Sequence, residues 1–438
     1  MRPERATALT AGEVLELTVE KAVYRGLALA RHEGRVIFVP RAFPGERVRV
    51  RVASVERGFA RAEIIEVQEP APGRRAAPCA HAARCGGCAY QDLRYEDQLV
   101  LKRDILAETL RRAGAPYEGA FEVTASPETG WRTRATFHFE ESGGALRLGL
   151  HEEGTRAVVD VERCLQLVPT LDDAARGLKQ ALVERPDLWP GLRALHLAAG
   201  HESGVVATVA VADPAADVAR LLPLRAAVPG LTGFAALAGE EDDAAFVMLH
   251  GSPRLGHRVG DLRITSHARA FFQGNRFQVD GLVQAVVDLL PAEGPALDLY
   301  AGVGLLGLPL VARGQAVHAV EGDETAVDDA RENARRLELS AFRIDRSDVR
   351  AALAVLPRTE PEQVVLDPPR SGAGLDVVEL LAARRPRTIV YVSCDPPTLG
   401  RDLAHFARQG YRVDALRAFD MFPGTFHLET VARLVPAL

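Results

Sequence analysis

Leu297-Asp298-Leu299-Tyr300-Ala301-Gly302-Val303-Gly304 reads as a buried strand running into a glycine turn. Downstream of it, short apolar runs alternate with amphipathic ones. Candidate strands are 296–300, 316–320, 342–344, 363–366, 388–392, 411–418 and 427–434. Helices fit between the first five, which predicts a parallel, doubly wound α/β sheet of Rossmann type from about Ile264. The last two strands have no helix between them, so an antiparallel hairpin is expected at the end of the sheet.

The glycine turn lets backbone approach a bound nucleoside, and Gly302-x-Gly304-x-x-Gly307 satisfies the dinucleotide pattern. Glu321 ends the next strand, where a ribose diol is usually held. Both features fit NAD and S-adenosylmethionine equally well. Asp367-Pro368-Pro369 favours the second, because it places a rigid acidic turn over the cleft and nothing there suggests hydride transfer. A plain strand-ending turn is the competing reading. Tyr391-Val392-Ser393-Cys394-Asp395-Pro396 puts a thiol at a strand's carboxyl end, where ligands of open α/β sheets bind. Taken alone, such a cysteine is more often a small buried hydrophobe.

Working outward, 438 residues suffice for two or three domains, and 47% hydrophobic with 26% charged residues is ordinary for a soluble globular chain. No apolar run has membrane-spanning length, and Met1 to Glu20 lacks the apolar stretch of a signal peptide. A cytoplasmic location is expected, with no membrane partner and no protein partner implied. The net charge of −6 argues against a wholly basic nucleic-acid binder.

Residues 9–70 read as a small β-barrel. Two segments alternate strictly, and Arg47, Arg49 and Arg51 share one strand face. That ladder suits an RNA backbone or is simply a solvated outer face. Residues 69–73 read as a linker. Cys79, Cys85 and Cys88, with the distant Cys164, have the count for a four-thiolate site, and reducing conditions disfavour disulfides. Zinc and a [4Fe–4S] cluster both accept four thiolates, and His81 could replace one. Residues 95–113 read as an amphipathic helix. The stretch from about Val123 to Asp261 is mixed and β-rich, with no catalytic constellation.

Over essentially its whole length the chain resembles the RNA 5-methyluridine methyltransferases. The resemblance is carried by the barrel, the Cys-x5-Cys-Gly-Gly-Cys segment, Phe271-Phe272-Gln273-Gly274-Asn275, the Leu297–Gly304 turn, Asp367-Pro368-Pro369-Arg370, Ser393-Cys394-Asp395-Pro396 and His427-Leu428-Glu429-Thr430-Val431. It implies a TRAM-type RNA-binding barrel (1–70), a central domain with an iron–sulfur site (71–263) and a class I methyltransferase domain (264–438), the helix 95–113 packing on the last. It further implies Cys394 as nucleophile and Glu429 as general base. Gln273, Tyr300, Glu321, Asp348 and Asp367 would hold S-adenosylmethionine, and Cys79, Cys85, Cys88 and Cys164 a [4Fe–4S] cluster. Ala301 and Leu305 depart from residues common in relatives.

The chemistry needs these residue types. A thiolate adding to uracil C6 makes C5 nucleophilic toward a sulfonium methyl, after which a base removes the C5 proton. The thiol should be partly ionised, with the following helix N-terminus helping. His427 and Glu429, two apart on a strand, are expected on one side. A target uridine must flip out or lie in a loop. The resemblance points to 23S ribosomal RNA as substrate, with the T-loop of transfer RNA as alternative. An iron–sulfur RNA-binding factor with a degenerate methyltransferase domain is the competing class. An NAD oxidoreductase has only the glycine turn and Glu321 in its favour.

Overall fold

The computed structural model describes residues 9–228, 230–239, 244–358 and 362–437, so the first eight residues of the expected barrel segment lie outside the described residues. Strands β1 (Val14–Val23), β2 (Leu27–His32), β3 (Arg35–Pro40), β4 (Arg47–Val55) and β5 (Phe59–Glu69) close into a barrel in the order β1-β2-β3-β5-β4. The period-two pattern sends Leu15, Leu17, Val19, Val48, Val50 and Val52 inward, and closure leaves no free edge. Arg47, Arg49 and Arg51 do face outward together. Carboxylates meet two of them: Arg47 pairs with Glu69 at 3.1 Å and Glu16 at 3.7 Å, and Arg49 with Glu66 at 3.3 Å. The ladder is thus largely a neutralised outer face. Nor is 69–73 a free linker, because the fully buried Glu46 carboxylate accepts the Ala71 amide (3.1 Å) and the Arg74 guanidinium.

Helix α1 (Tyr95–Ala113) and the short strand β6 (Val123–Thr124) come next. A seven-stranded sheet follows from β7 (Arg134–Ser142), β8 (Ala145–His151), β9 (Val158–Asp160), β10 (Leu192–Ala199), β11 (Val205–Val211), β12 (Gly233–Ala238) and β13 (Ala245–Gly251), in the order β13-β12-β11-β10-β7-β8-β9. Its pairs are antiparallel except β11 with β12. Helix α2 (Pro169–Val183) lays Leu171, Leu178 and Leu182 on the sheet's Leu195, Leu197 and Val209. Strands β14 (Arg254–Val259) and β15 (Leu262–His267) form a hairpin whose Val259 and Ile264 belong to the core of the last sheet.

That sheet is built from β16 (Ala296–Leu299), β17 (Val317–Glu321), β18 (Phe342–Arg346), β19 (Gln363–Leu366), β20 (Thr388–Ser393), β21 (Tyr411–Phe419) and β22 (Glu429–Pro436). Helices α3 (Val279–Leu289), α4 (Gly307–Ala312), α5 (Glu324–Arg336), α6 (Val349–Val355), α7 (Leu375–Arg384) and α8 (Pro396–Arg408) connect and cover it. The order β18-β17-β16-β19-β20-β22-β21-β6 has two features that sequence order does not show. Strand β22 inserts between β20 and β21, antiparallel to both. Strand β6, from far upstream, adds the edge beside β21. Helix α1 reaches the same unit: a Cβ on Gly400 of α8 would lie 2.9 Å from the Ala113 Cβ. The chain reverses direction of winding between β16 and β19, so the crevice at their carboxyl ends is where an α/β sheet binds ligand.

Candidate active site

The glycine turn after β16 sits at one side of this crevice. Tyr300 adopts φ 61°, Gly302 55° and Gly304 87°, so a residue with a side chain is held in the left-handed region beside two glycines that enter it freely. The Gly302 amide donates to Glu321 Oε2 at 2.8 Å, while Oε1 accepts the Gly322 and Asp323 amides at 2.7 and 2.8 Å. The Glu321 carboxylate is thereby fixed at the crevice rim. Burial, then Asp348, pushes the Tyr300 phenol up to about 12. Asp348 itself caps α6, accepting the Ala351 amide at 3.0 Å. Beneath the turn, Asp298 is fully buried, and burial raises its carboxyl to about 8. A Cβ on Gly307 would lie 2.6 Å from Asp298 Oδ2, so glycine is required there. Ala301 and Leu305 are both buried in the core.

Three strand ends meet at the other side. Ser393 of β20 pairs with Thr430 of β22, which brings Cys394, just past one strand, next to Glu429, the first residue of the other. Asp367 follows β19, the parallel neighbour of β20. Gln273 Nε2 donates to Asp367 Oδ2 at 3.4 Å. The segment carrying Gln273 is clamped on both sides. Phe272 stacks on His257 with ring centroids 3.7 Å apart, and Asn275 Nδ2 donates to Ser126 Oγ (2.9 Å) and Met421 O (3.1 Å).

Electrostatically the pocket holds protons. Burial pushes the Cys394 thiol up to about 12, with Glu429 and Asp367 adding to the rise and a hydrogen bond and the charge of Arg370 opposing it. Burial and the two carboxylates therefore oppose the ionisation expected from the helix N-terminus that follows Cys394. Burial, then the charge of Asp367, raises the Glu429 carboxyl well above the ordinary range, and burial raises Asp367 to about 7. His427 differs from expectation, because β22 begins at Glu429 and the strand-alternation argument does not apply. Its ring lies 4.3 Å from that of Phe426, and burial lowers it to about 4.

The loop leading into Glu429 is tied down from upstream. Lys102 of α1, fully buried, donates to Asp420 Oδ1 at 2.6 Å and to Phe422 O at 3.1 Å. Gln98 Oε1 accepts the Gly424 amide at 3.0 Å, and Gly424 O accepts the amides of Ala89 and Tyr90 at 2.9 and 2.8 Å. The segment after Cys88 and the loop before β22 are thus hydrogen-bonded to each other.

Cys79, Cys85, Cys88 and Cys164 line one cavity of about 30 Å³, together with His81 and Arg132. The Gly87 amide faces Cys85 Sγ at 3.4 Å and Gln91 Nε2 faces Cys88 Sγ at 3.6 Å. Burial raises the thiols of Cys85, Cys88 (to about 12) and Cys164, and the neighbouring thiols raise them further. By type alone, four soft sulfur donors sharing one cavity, two of them faced by N–H groups, are what a thiolate-bound centre takes. Among the described residues no group of three or more His, Cys, Asp or Glu is arranged to hold a metal ion. His81 Nε2 accepts the Glu162 amide at 3.3 Å.

Two residues of the active-site pocket carried no functional assignment from sequence. Arg370 stands in the quoted Asp-Pro-Pro-Arg run, where a cation directly after the acidic turn is its signal. Tyr24, whose hydroxyl donates to Asp395 Oδ2 at 2.9 Å, lies 371 positions away and has none.

Comparison with known proteins follows the same lines. A family profile described as tRNA (Uracil-5-)-methyltransferase matches residues 261–435, and a TRAM domain profile matches residues 8–65. An uncharacterized RNA methyltransferase of Streptomyces coelicolor is 36% identical, over 97% of this chain and 93% of its own length. A 23S rRNA (uracil(1939)-C(5))-methyltransferase of Alkalilimnicola ehrlichii is 35% identical over 96% of each chain. The crystal structure of Pyrococcus abyssi tRNA (uracil-54, C5)-methyltransferase in complex with S-adenosyl-L-homocysteine superposes with a TM-score of 0.74 at 26% identity, covering 96% of this chain and all of that one.

Proposed function

This chain belongs to the RNA uracil-5-methyltransferase family, and from that membership we propose that it methylates C5 of a uridine in 23S ribosomal RNA, with Cys394 as nucleophile and Glu429 as base. The observation that carries the assignment is the meeting of Cys394, Glu429, Asp367 and Arg370 at the adjoining ends of β19, β20 and β22. Gln273, Tyr300, Glu321, Asp348 and Asp367 surround the crevice and would hold S-adenosylmethionine, Glu321 at the ribose. When bound, that molecule supplies a methyl group on a positively charged sulfur, a charge that favours the ionised forms of nearby Asp367, Glu429 and Cys394.

With the target base in the pocket, Arg370 steadies the Cys394 thiolate as it bonds to C6. The C5–C6 π electrons are displaced toward the C4 oxygen, and C5 then takes the methyl. Glu429 removes the C5 proton, and the C6–sulfur bond breaks to restore the ring and release Cys394 as the thiolate that began the cycle. Burial keeps water from competing for the proton.

The division of labour we propose is RNA binding in 1–70, a cluster-bearing unit in 71–263 and catalysis in 264–438. Cys79, Cys85, Cys88 and Cys164 would hold a [4Fe–4S] cluster, whose role here would be to fix the fold of its segment. Among the described residues no helix is long and apolar enough to cross a membrane; the cytoplasmic location we propose follows from the proposed ribosomal RNA substrate. Transfer RNA is a second reading, favoured by the Pyrococcus abyssi neighbour but at lower identity than the ribosomal relative.

The test is incubation with unmodified total RNA and methyl-labelled cofactor, followed by fragment mapping. Label at a 23S uridine C5 is expected, label confined to transfer RNA selects the second reading, and no label in RNA rejects both. On denaturing gels Glu429→Gln should trap a methylated protein–RNA complex and Cys394→Ala none. Normal turnover by Glu429→Gln would move the base elsewhere, with His427 first to examine.

A further inference from the structure

The turn between β1 and β2 of the barrel reaches the catalytic pocket of the far end of the chain. Val23 pairs with Leu27 across the three-residue turn Tyr24-Arg25-Gly26, in which Arg25 and Gly26 both have positive φ (72° and 71°), a tight reversal suited to the twisted strands of a barrel. A Cβ on Gly26 would lie 2.7 Å from the Ala89 Cβ and 3.5 Å from Phe426 Cδ1, so the turn is seated against both the cysteine segment and the loop before Glu429. Tyr24 meets Phe426 edge-on, rings 5.5 Å apart at 87°. Its hydroxyl donates to Asp395 Oδ2 at 2.9 Å.

Asp395 directly follows the nucleophile. Its other oxygen caps α8, accepting the Thr398 amide at 2.9 Å and hydroxyl at 3.0 Å, and the Asp395 amide donates to Ser393 Oγ at 3.3 Å. Cys394 therefore sits in a one-residue span whose downstream anchor is held on one oxygen by its own helix and on the other by the barrel. We propose that Tyr24 is a positioning residue for Cys394, acting through Asp395, and that the barrel thereby completes the catalytic pocket as well as contributing to RNA affinity. Two consequences of the geometry support the role. The phenol is kept neutral, a permanent donor, because burial and then Asp395 raise it well above the ordinary range. Its dipole also offsets part of the negative charge that Asp395 places beside a thiol that must ionise.

The inference rests on Cys394 being the nucleophile, so its test includes a readout that needs no RNA. Full-length Tyr24→Phe, Asp395→Asn and the double variant are compared with the parent, asparagine being a good helix cap that preserves the fold. For Tyr24→Phe, kcat should fall about ten-fold, the scale of one hydrogen bond to a charged group, with KM for RNA within about two-fold. Iodoacetamide labelling of Cys394 at neutral pH, followed by peptide mass mapping, should slow several-fold. Both effects should largely vanish in the Asp395→Asn background, as a shared pathway requires. An unchanged kcat with raised KM would make Tyr24 an RNA contact and overturn the proposal. So would equal effects of Tyr24→Phe in both backgrounds, or unaltered Cys394 labelling. An enzyme that labels as expected but methylates no RNA would defeat the functional reading and leave the positioning role supported.

Discussion

Cys394 shows how little a residue's type says about its state. Sequence places it at a strand end before a helix, and the structure agrees, yet burial and two carboxylates hold the thiol protonated in the free protein. Asp298 makes the same point with a cleaner test. Its folded-state carboxyl is raised by burial from 3.8 to about 8, so its protonated form is the one compatible with the fold. The stability associated with that proton is fully present below 3.8 and is lost as pH rises through about 8. Asp298→Asn removes the titration. Its stability relative to the parent should therefore climb with pH across that window, by at most roughly 1.4 kcal/mol per pH unit, and level off above it. Urea titrations at a series of pH values measure the gap. A gap that is flat with pH would mean that Asp298 ionises in the fold.

At the scale of elements, α1 does more than its apolar stripe announces. Ile105, Leu106 and Leu110 are buried as the periodicity predicts, but so are Gln98 and Lys102 on the same helix. The Lys102–Asp420 pair, with 1% and 0% of its side chains exposed, has desolvation and attraction that nearly balance while both partners are present. Lys102→Met leaves Asp420 buried without its cation and should cost about 3–5 kcal/mol. Hydrogen exchange should rise first in residues 420–427, the loop that Lys102 and Gln98 hold. Uniform loss of protection across the chain, with no early opening of that loop, would contradict the role. The arginine ladder of β4 illustrates the reverse. Its shared face is legible from alternation, but Glu16, Glu66 and Glu69 arrive opposite it only through barrel pairing, and exposed pairs of this kind contribute little.

Across the whole molecule, three regions distant in sequence converge on the loop before β22. The barrel turn touches Phe426, α1 holds Asp420 and Gly424, and the segment after Cys88 donates two amides to Gly424. Anaerobically purified protein should be brown, with about four irons bound through Cys79, Cys85, Cys88 and Cys164. Removing iron with a chelator should loosen residues 420–427 along with 79–91, since the two stretches share backbone hydrogen bonds. Stoichiometric zinc without iron would reject the cluster assignment, and an undisturbed loop would reject the coupling.

What the sequence by itself determined is whatever depends on local pattern. Alternation set the barrel strands, 3.6-residue periodicity set α1 with its bounds intact, and the Gly302 and Gly304 turn follows from the backbone freedom glycine alone supplies. Cys394 and Asp367 stood out because strand ends of an α/β sheet gather at one crevice, whereas Gln273 stood out only through the resemblance of its segment to the family. Only the tertiary structure decided what depends on neighbours with no fixed separation along the chain. The insertion of β22 beside β20 brings Glu429 to Cys394, and the edge strand β6 comes from a region that reads as another domain. The start of β22 at Glu429, which takes His427 out of the strand, and the reach of Tyr24 to Asp395 are of the same kind. The physical reason is common to them: burial, charge and hydrogen bonding act through space within a few ångströms, and a chain that folds on itself sets those distances without recording them in residue spacing.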